Sequence, residues 1–218
     1  MFNNQLLYLR QNRFKYNMSC KYITMGWKDN LIIHSFKDVT MRWELNDGKG
    51  SWKKRLNGQQ TKWPSLVKTK IKKGDTAFAC LTGEKSNIFI LDFDDVNMFF
   101  DWCEMFPYLD DIPRVATRKG FHLYFEWSDR CKELPGNFAE TTIRRIDLQG
   151  NGRQVLFPPT KILKGEPSSC NFDCACCPME HPDEYEYVWD KGEDYALSPI
   201  PDDLFLHLKP IKIVKTKT

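Results

Sequence analysis

Two aspartates separated by one residue are the first feature of this sequence that could carry chemistry. Asp92 and Asp94 end the run that begins Asn87-Ile-Phe-Ile-Leu91, which is typical of a buried strand. Side chains alternate along a strand, so both carboxylates should share one face. Unpaired charge there is costly, and a divalent cation would remove the cost. The spacing predicts a Mg²⁺ or Mn²⁺ site with positions open for phosphate oxygens; the alternative is an ordinary strand end.

Asp147 offers a third carboxylate. It stands between Ile146 and Leu148 in a short apolar strand, directly before the turn Gln149-Gly-Asn-Gly152. An aspartate at a strand end is often only a turn former, so by itself this position is weak evidence for a site.

His122 begins a predicted strand directly after the turn formed by Arg118, Lys119 and Gly120. A tight turn with two cations, one small residue and exposed backbone N–H groups is suited to holding phosphates. With Thr117 on the other side of the turn, the pattern predicts a polar strand face that opens on an anion site. A single strand histidine can also be purely structural.

The elements that must position these residues are mostly strands. Hydrophobic alternation and glycine turns favour a mixed α+β fold over a doubly wound parallel sheet. The 218 residues suit one large domain, alone or with a small appendage. The pattern predicts strands at 76–82 and 87–94, a helix at 96–105 with Asp95 as its N-cap, a hairpin of 114–117 with 121–127, a second pair of 144–148 with 154–157, and loop or surface at 47–74.

Charge is distributed unevenly along the chain. The net charge is only +3, but residues 1–74 carry 16 Lys and Arg against 4 Asp and Glu, whereas residues 173–203 carry 1 against 10. A basic first third next to carboxylates suits a protein that binds a polyanion and acts on it, and a solvated basic surface is the alternative. No apolar run approaches a membrane span and no secretory leader is seen, so we expect an intracellular protein without membrane contact.

The order of these motifs is more specific than any one of them. An acid pair on a strand is followed by a basic turn with a histidine, then an aspartate before a glycine turn, then a Phe-Pro-Pro-Thr sequence. In this order the chain resembles the archaeo-eukaryotic primase superfamily, and within it the primase–polymerase (bifunctional DNA primase/polymerase) domains. The resemblance covers roughly 49–189, and the matching pieces are Leu81–Glu84, Ile90–Asp94, Thr117–Phe125, Ile146–Gly150 and Val155–Thr160.

The resemblance implies a role for each of these residues. Asp92, Asp94 and Asp147 resemble the family's three-carboxylate site for two Mg²⁺ or Mn²⁺ ions. His122 resembles the motif histidine that contacts the triphosphate of the incoming nucleotide. Its supporting nucleotide-binding candidates are Thr117, Arg118, Lys119 and Gly120.

The implied function is that of a template-dependent nucleotidyltransferase. It would synthesise primers, extend DNA, or do both on single-stranded DNA during replication, using NTPs or dNTPs and two-metal-ion catalysis. The implied fold is an RRM-like antiparallel palm facing an N-terminal α/β layer, with residues 1–208 as the catalytic domain and 209–218 as a basic tail or linker. Lys53, Lys54 and Arg55 are the predicted template contacts, and a replicative helicase is a candidate partner.

A cysteine cluster stands apart from these motifs. Five soft ligands fall within twelve residues, and the flanking sequence indicates that 166–183 is an insertion. A short Cys/His segment without a core of its own is expected to need a metal to fold, and the alternative is a surface loop with reduced thiols. The predicted zinc ligands are Cys170, Cys174, Cys177 and His181, with Cys176 as the competitor of Cys177.

Two other functions compete with nucleotidyl transfer. A rolling-circle replication endonuclease wants two histidines one residue apart, and here Tyr124 stands where the second would be. A non-catalytic, zinc-stabilised module that binds single-stranded nucleic acid would also explain the basic first third and the cysteines. That alternative treats the acids as structural and predicts that Asp92→Ala changes nothing.

Overall fold

The computed structural model describes residues 26–46, 49–57, 68–135, 138–139, 146–163 and 184–209. Within these ranges the chain is a mixed α+β protein, as predicted. The strands are β1 Ile33–Phe36, β2 Asp38–Asn46, β3 Lys49–Asn57, β4 Ala77–Leu81, β5 Ile88–Phe93, β6 Arg114–Ala116, β7 Phe121–Glu126, β8 Phe138–Ala139, β9 Ile146–Gln149, β10 Gln154–Phe157, β11 Lys161–Leu163, β12 Tyr185–Glu186 and β13 Val188–Lys191, and the helices are α1 Val96–Met105 and α2 Asp202–Leu208.

The described strands form three sheets. The largest has six strands in the order β13-β6-β7-β5-β9-β8, and all of its pairs are antiparallel. A second sheet has the order β1-β4-β10, and a third has the order β12-β11-β2-β3, in which only β11 and β2 run parallel. The predicted N-terminal α/β layer corresponds, in its described part, to strands and a single 3₁₀ turn.

Strand β5 is buried on both faces of the six-stranded sheet. Phe89, Leu91 and Phe93 point into a core that includes residues of α1 and α2. Ile88 and Ile90 point the other way, into a core shared with β1, β4 and β10. Each fully buried side chain of this size contributes about 1.5–3 kcal/mol, so β5 is fixed firmly from both sides. The position of the residues at its end is therefore well defined.

Helix α1 begins and ends where the sequence predicts. The Asp95 side chain accepts hydrogen bonds from the backbone N–H groups of Asn97 at 2.7 Å and Met98 at 3.3 Å. This N-cap is worth about 1 kcal/mol, and it starts the helix at Val96, soon after β5 ends at Phe93. The helix then packs Phe99 and Trp102 against the sheet. No helix among the described residues is both long enough and apolar enough to cross a bilayer.

Two predictions about strands are wrong. Residues 49–57, predicted as loop or surface, form β3, which pairs with β2 over nine residues. Glycine and lysine have low β-propensity, so the local sequence does not indicate a strand that forms through pairing with β2. The predicted pair 144–148 with 154–157 does not form, because β9 pairs with β5 while β10 pairs with β4 in another sheet. The turn between β9 and β10 is held instead by Thr82, which accepts from Gly152 N–H and donates its hydroxyl to Gly150 O.

Thr160 connects strands of different sheets. Its buried hydroxyl accepts a 2.7 Å hydrogen bond from Phe78 N–H on β4, and its single proton has two carbonyl acceptors within reach, Phe157 O at 2.6 Å and Phe78 O at 2.8 Å. Its carbonyl accepts a 2.8 Å hydrogen bond from Tyr187 N–H, just before β13. One buried residue, through its side chain and its backbone carbonyl, thus connects three segments that are distant in sequence.

We expect Thr160→Val to lower the free energy of unfolding by about 1–3 kcal/mol, because the isosteric side chain leaves the partly buried Phe78 N–H unsatisfied. Thr160→Ser keeps the hydroxyl and should cost less. Urea unfolding of the three proteins measures both differences. Equal stability of the valine and serine variants would show that the hydroxyl has no structural role.

Candidate active site

Three of the predicted site residues are neighbours on adjacent strands. In the six-stranded sheet, Asp92 on β5 lies opposite His122 on β7 and opposite Asp147 on β9. Directly opposed residues in a sheet project from the same face, with Cβ atoms about 4.5–5.5 Å apart. The structure therefore brings these side chains into one row, although they are far apart in sequence.

Asp94 joins the two other acids at a small pocket. Asp92, Asp94 and Asp147 line a cavity of about 180 Å³ together with Met98 from α1. Asp94 is exposed, whereas Asp92 and Asp147 are half-buried. In the part of the chain that the structure describes, no three His, Cys, Asp or Glu side chains stand in an arrangement that could already hold a metal ion.

Asp92 has the most closely defined surroundings of the three. His122 Nε2 lies 3.3 Å from its Oδ1, and Gln149 Nε2 donates to its Oδ2 at 3.2 Å. Burial alone would raise the pKa of Asp92, but His122, Lys54 and Gln149 together outweigh burial and hold that pKa below its usual value. Asp92 is therefore a carboxylate at neutral pH, which is the form that could bind a cation.

His122 is almost enclosed. Only 4% of the residue is exposed, and its ring lies 5.7 Å from the ring of Tyr187. Its Nε2 faces Asp92, and its buried Nδ1 has no hydrogen-bond partner among the described residues. The structure thus places His122 as the immediate neighbour of Asp92 and close to the pocket, with little open surface of its own.

The turn before His122 is closed by two hydrogen bonds. Thr117 N–H donates to Gly120 O at 2.9 Å, and Gly120 N–H donates to Thr117 Oγ1 at 3.1 Å. The Gly120 N–H is therefore already used, whereas the side chains of Arg118 and Lys119 are exposed. A Cβ on Gly120 would lie 2.0 Å from Phe93 O, so a glycine is required where the turn packs against the end of β5.

The basic triplet predicted to bind template is divided between two faces of β3. Lys53, Lys54 and Arg55 are all exposed as residues. The ammonium of Lys54, however, donates a 2.5 Å hydrogen bond to the hydroxyl of Tyr187. Lys54 also lies close enough to Asp92 and Asp94 to interact with both charges, which the sequence did not predict.

Sequence reasoning missed two further residues at this site. Gln149 stands two positions after Asp147 on β9, so strand alternation places both on one face, and this signal was present in the sequence. Tyr187 has no comparable signal in the sequence. Its approach to His122 and Lys54 depends on how distant strands pack, which no local pattern encodes.

The acids have the chemistry that a divalent cation needs. Carboxylate oxygens are hard ligands that suit Mg²⁺ or Mn²⁺, and three of them line one pocket. Like charges directly opposed across a strand pair destabilise a sheet, and a bound cation would remove that repulsion between Asp92 and Asp147. The predicted zinc ligands Cys170, Cys174, Cys177 and His181 lie outside the described residues, so zinc binding stays a prediction.

The fold and the site together define an α+β protein with an acidic pocket at the end of an antiparallel sheet. A family model described as "Bifunctional DNA primase/polymerase, N-terminal" matches residues 39–202. The chain belongs to this family, as the motif order predicted, and its function is of the DNA primase/polymerase type. No curated protein matches the chain.

We expect Gly120→Ala to lower the free energy of unfolding by about 1–3 kcal/mol, because the new Cβ would clash with the backbone of Phe93. Gly150→Ala is the matched control, since its nearest neighbour would be an atom of Phe89 at 3.7 Å. Urea unfolding at neutral pH compares the two variants. Equal costs would contradict the close approach of the turn to β5.

The lowered pKa of Asp92 also predicts a pH dependence of stability. A carboxyl whose pKa is lower in the folded state stabilises the fold above its unfolded pKa of about 3.9, and this contribution is lost as the pH falls through the folded value. We therefore expect the stability difference between wild type and Asp92→Asn to be full at pH 6 and to shrink below about pH 4. Urea unfolding in EDTA measures it. A difference that grows toward pH 3 would contradict the assignment.

Proposed function

We propose that this chain is a template-dependent nucleotidyltransferase that synthesises primers, extends DNA, or does both on a single-stranded template. The observation that carries the proposal is that Asp92, Asp94 and Asp147 line one pocket while His122 adjoins Asp92. Membership of the primase/polymerase family supports it, since that family implies a DNA template and nucleotide substrates.

The three acids would hold two Mg²⁺ or Mn²⁺ ions. When bound, such ions lower the pKa of an attacking 3′-hydroxyl and neutralise a leaving pyrophosphate. The protein's own contribution is to keep Asp92 ionised and oriented. His122 and Gln149 each contact one of its two carboxylate oxygens, so neither oxygen can rotate away without losing a partner.

The cations of the turn would bind the triphosphate. Arg118 and Lys119 are exposed on the turn that packs against the end of β5, and guanidinium and ammonium groups are strong phosphate ligands. The paired hydrogen bonds between Thr117 and Gly120 keep this turn in place. His122 Nε2 faces the pocket acid, so a phosphate bound beside Asp92 would lie next to this nitrogen.

The six-stranded sheet would serve as the RRM-like palm of a catalytic domain over residues 1–208. The template would follow the outer face of β3, where Lys53 and Arg55 are exposed. The insertion at 166–183 would bind zinc, and residues 209–218 would form a basic linker. The proposal places the protein inside the cell at sites of DNA replication, with a replicative helicase as a candidate partner.

Nucleotide incorporation on single-stranded DNA, with Mg²⁺ or Mn²⁺ and with or without a primer, tests the proposal. We expect Asp92→Ala/Asp94→Ala to reduce synthesis at least roughly a hundredfold and to retain DNA binding. Glu104→Ala, an exposed acid on α1, is the control and should be fully active. Product without a primer would identify a primase.

A different result would replace the proposal. If wild type binds single-stranded DNA but makes no product with either metal and either type of nucleotide, the protein is a non-catalytic binding module. Equal activity of wild type and the double variant would show that these acids do not form the catalytic site.

A further inference from the structure

Lys54 differs from its two basic neighbours in the direction that its side chain takes. On β3 it pairs with Met41 of β2, which is 3% exposed and belongs to the core between the sheets. Paired residues share a face, so Lys54 projects inward, while Lys53 and Arg55 project from the opposite face. The sequence triplet is therefore two separate features in the folded protein.

Tyr187 holds the ammonium group of Lys54 in place. The hydroxyl of Tyr187 accepts the 2.5 Å hydrogen bond from Lys54 Nζ, and the ammonium lies 5.3 Å from the centroid of the tyrosine ring. Tyr187 is fully buried, and its backbone N–H donates to Thr160 O at 2.8 Å. The ammonium group of Lys54 is therefore held in one position by a buried residue instead of moving freely in solvent.

The ammonium group of Lys54 and the Tyr187 ring lie next to the acidic pocket. The Tyr187 ring is 5.7 Å from the ring of His122, whose Nε2 contacts Asp92. Although Lys54 is exposed as a residue, desolvation of its ammonium group is the largest effect on its pKa and lowers it. Asp92 and Asp94 raise this pKa, and Arg118 lowers it further. Lys54 in turn helps to lower the pKa of Asp92. The contacts of Lys54 with Tyr187, of Tyr187 with His122 and of His122 with Asp92 thus place the ammonium near the acidic pocket.

A lysine in this position has donors left for a ligand. An ammonium has three N–H groups, and the hydrogen bond to Tyr187 uses one of them. A cation is not a ligand for a metal ion, so Lys54 would not bind metal beside the three acids. An anion that bridges the metal and the ammonium would satisfy both, and the phosphates of a nucleotide have that charge and geometry.

We propose that Lys54 binds the triphosphate of the incoming nucleotide, that Tyr187 is its positioning residue, and that Lys54 does not contact the template. This inference rests on the proposed function, because it places a nucleotide at the acidic pocket. It would separate Lys54 from Lys53 and Arg55, which remain the predicted template contacts.

Lys54→Met tests the proposal, because methionine keeps an unbranched side chain without charge. We expect it to raise the nucleotide KM and the Kd for a fluorescent deoxynucleoside triphosphate roughly tenfold to hundredfold. The Kd for single-stranded DNA and its salt dependence should stay within twofold. Lys54→Arg should restore part of the nucleotide affinity. Nucleotide binding is measured in Mg²⁺ without DNA, where no synthesis occurs.

Two control variants make the comparison specific. Lys53→Met should weaken DNA binding and lower the slope of its salt dependence by about one, with nucleotide Kd unchanged. Lys37→Met removes an exposed lysine between β1 and β2 and should alter neither affinity.

Tyr187→Phe keeps the buried ring but removes the hydroxyl, so it should raise nucleotide KM severalfold with little change in kcat.

Each result decides between distinct conclusions. The inference is wrong if Lys54→Met weakens DNA binding as Lys53→Met does, or if nucleotide affinity is unchanged. If wild type binds nucleotide and Lys54→Met does not, yet neither makes product, the inference holds and the proposed polymerase activity fails. If wild type binds no nucleotide and makes no product, both are overturned.

Discussion

Two carboxylates opposed across neighbouring strands are the constraint around which the rest of this structure is arranged. Asp92 and Asp147 occupy paired positions on β5 and β9, where like charges repel. Around Asp92 the protein supplies His122, Gln149 and the charge of Lys54, and their combined effect keeps its pKa low. The fold therefore keeps Asp92 ionised beside Asp147 instead of neutralising Asp92 by protonation.

Such a charge cluster needs a rigid frame, and β5 provides it. The strand is packed on one face by the helices and on the other by the three-stranded sheet. At its end, Asp95 caps α1, and the turn at Gly120 packs directly on the backbone of Phe93. Asp92 and Asp94 are thus flanked by the start of a helix and by a tight turn.

Much of this arrangement could be predicted from local sequence. Helix 96–105, its Asp95 cap and the hairpin of β6 with β7 are all confirmed, because capping, helical periodicity and glycine turns act over a few residues. Strand β3 and the partners of β9 and β10 were predicted wrongly. Alternation of apolar and polar residues shows that a segment is extended and which of its faces is apolar. It does not show which strand pairs with that segment.

The sequence by itself determined the identity and order of the acids, the basic turn and the histidine, and so the family, because those features lie within contiguous motifs. Tertiary structure alone decided that Asp92, Asp94 and Asp147 line one pocket and that the Lys54 side chain forms a hydrogen bond with Tyr187. The physical reason is that these contacts join segments paired across sheets, where long-range packing, not local propensity, selects the partner.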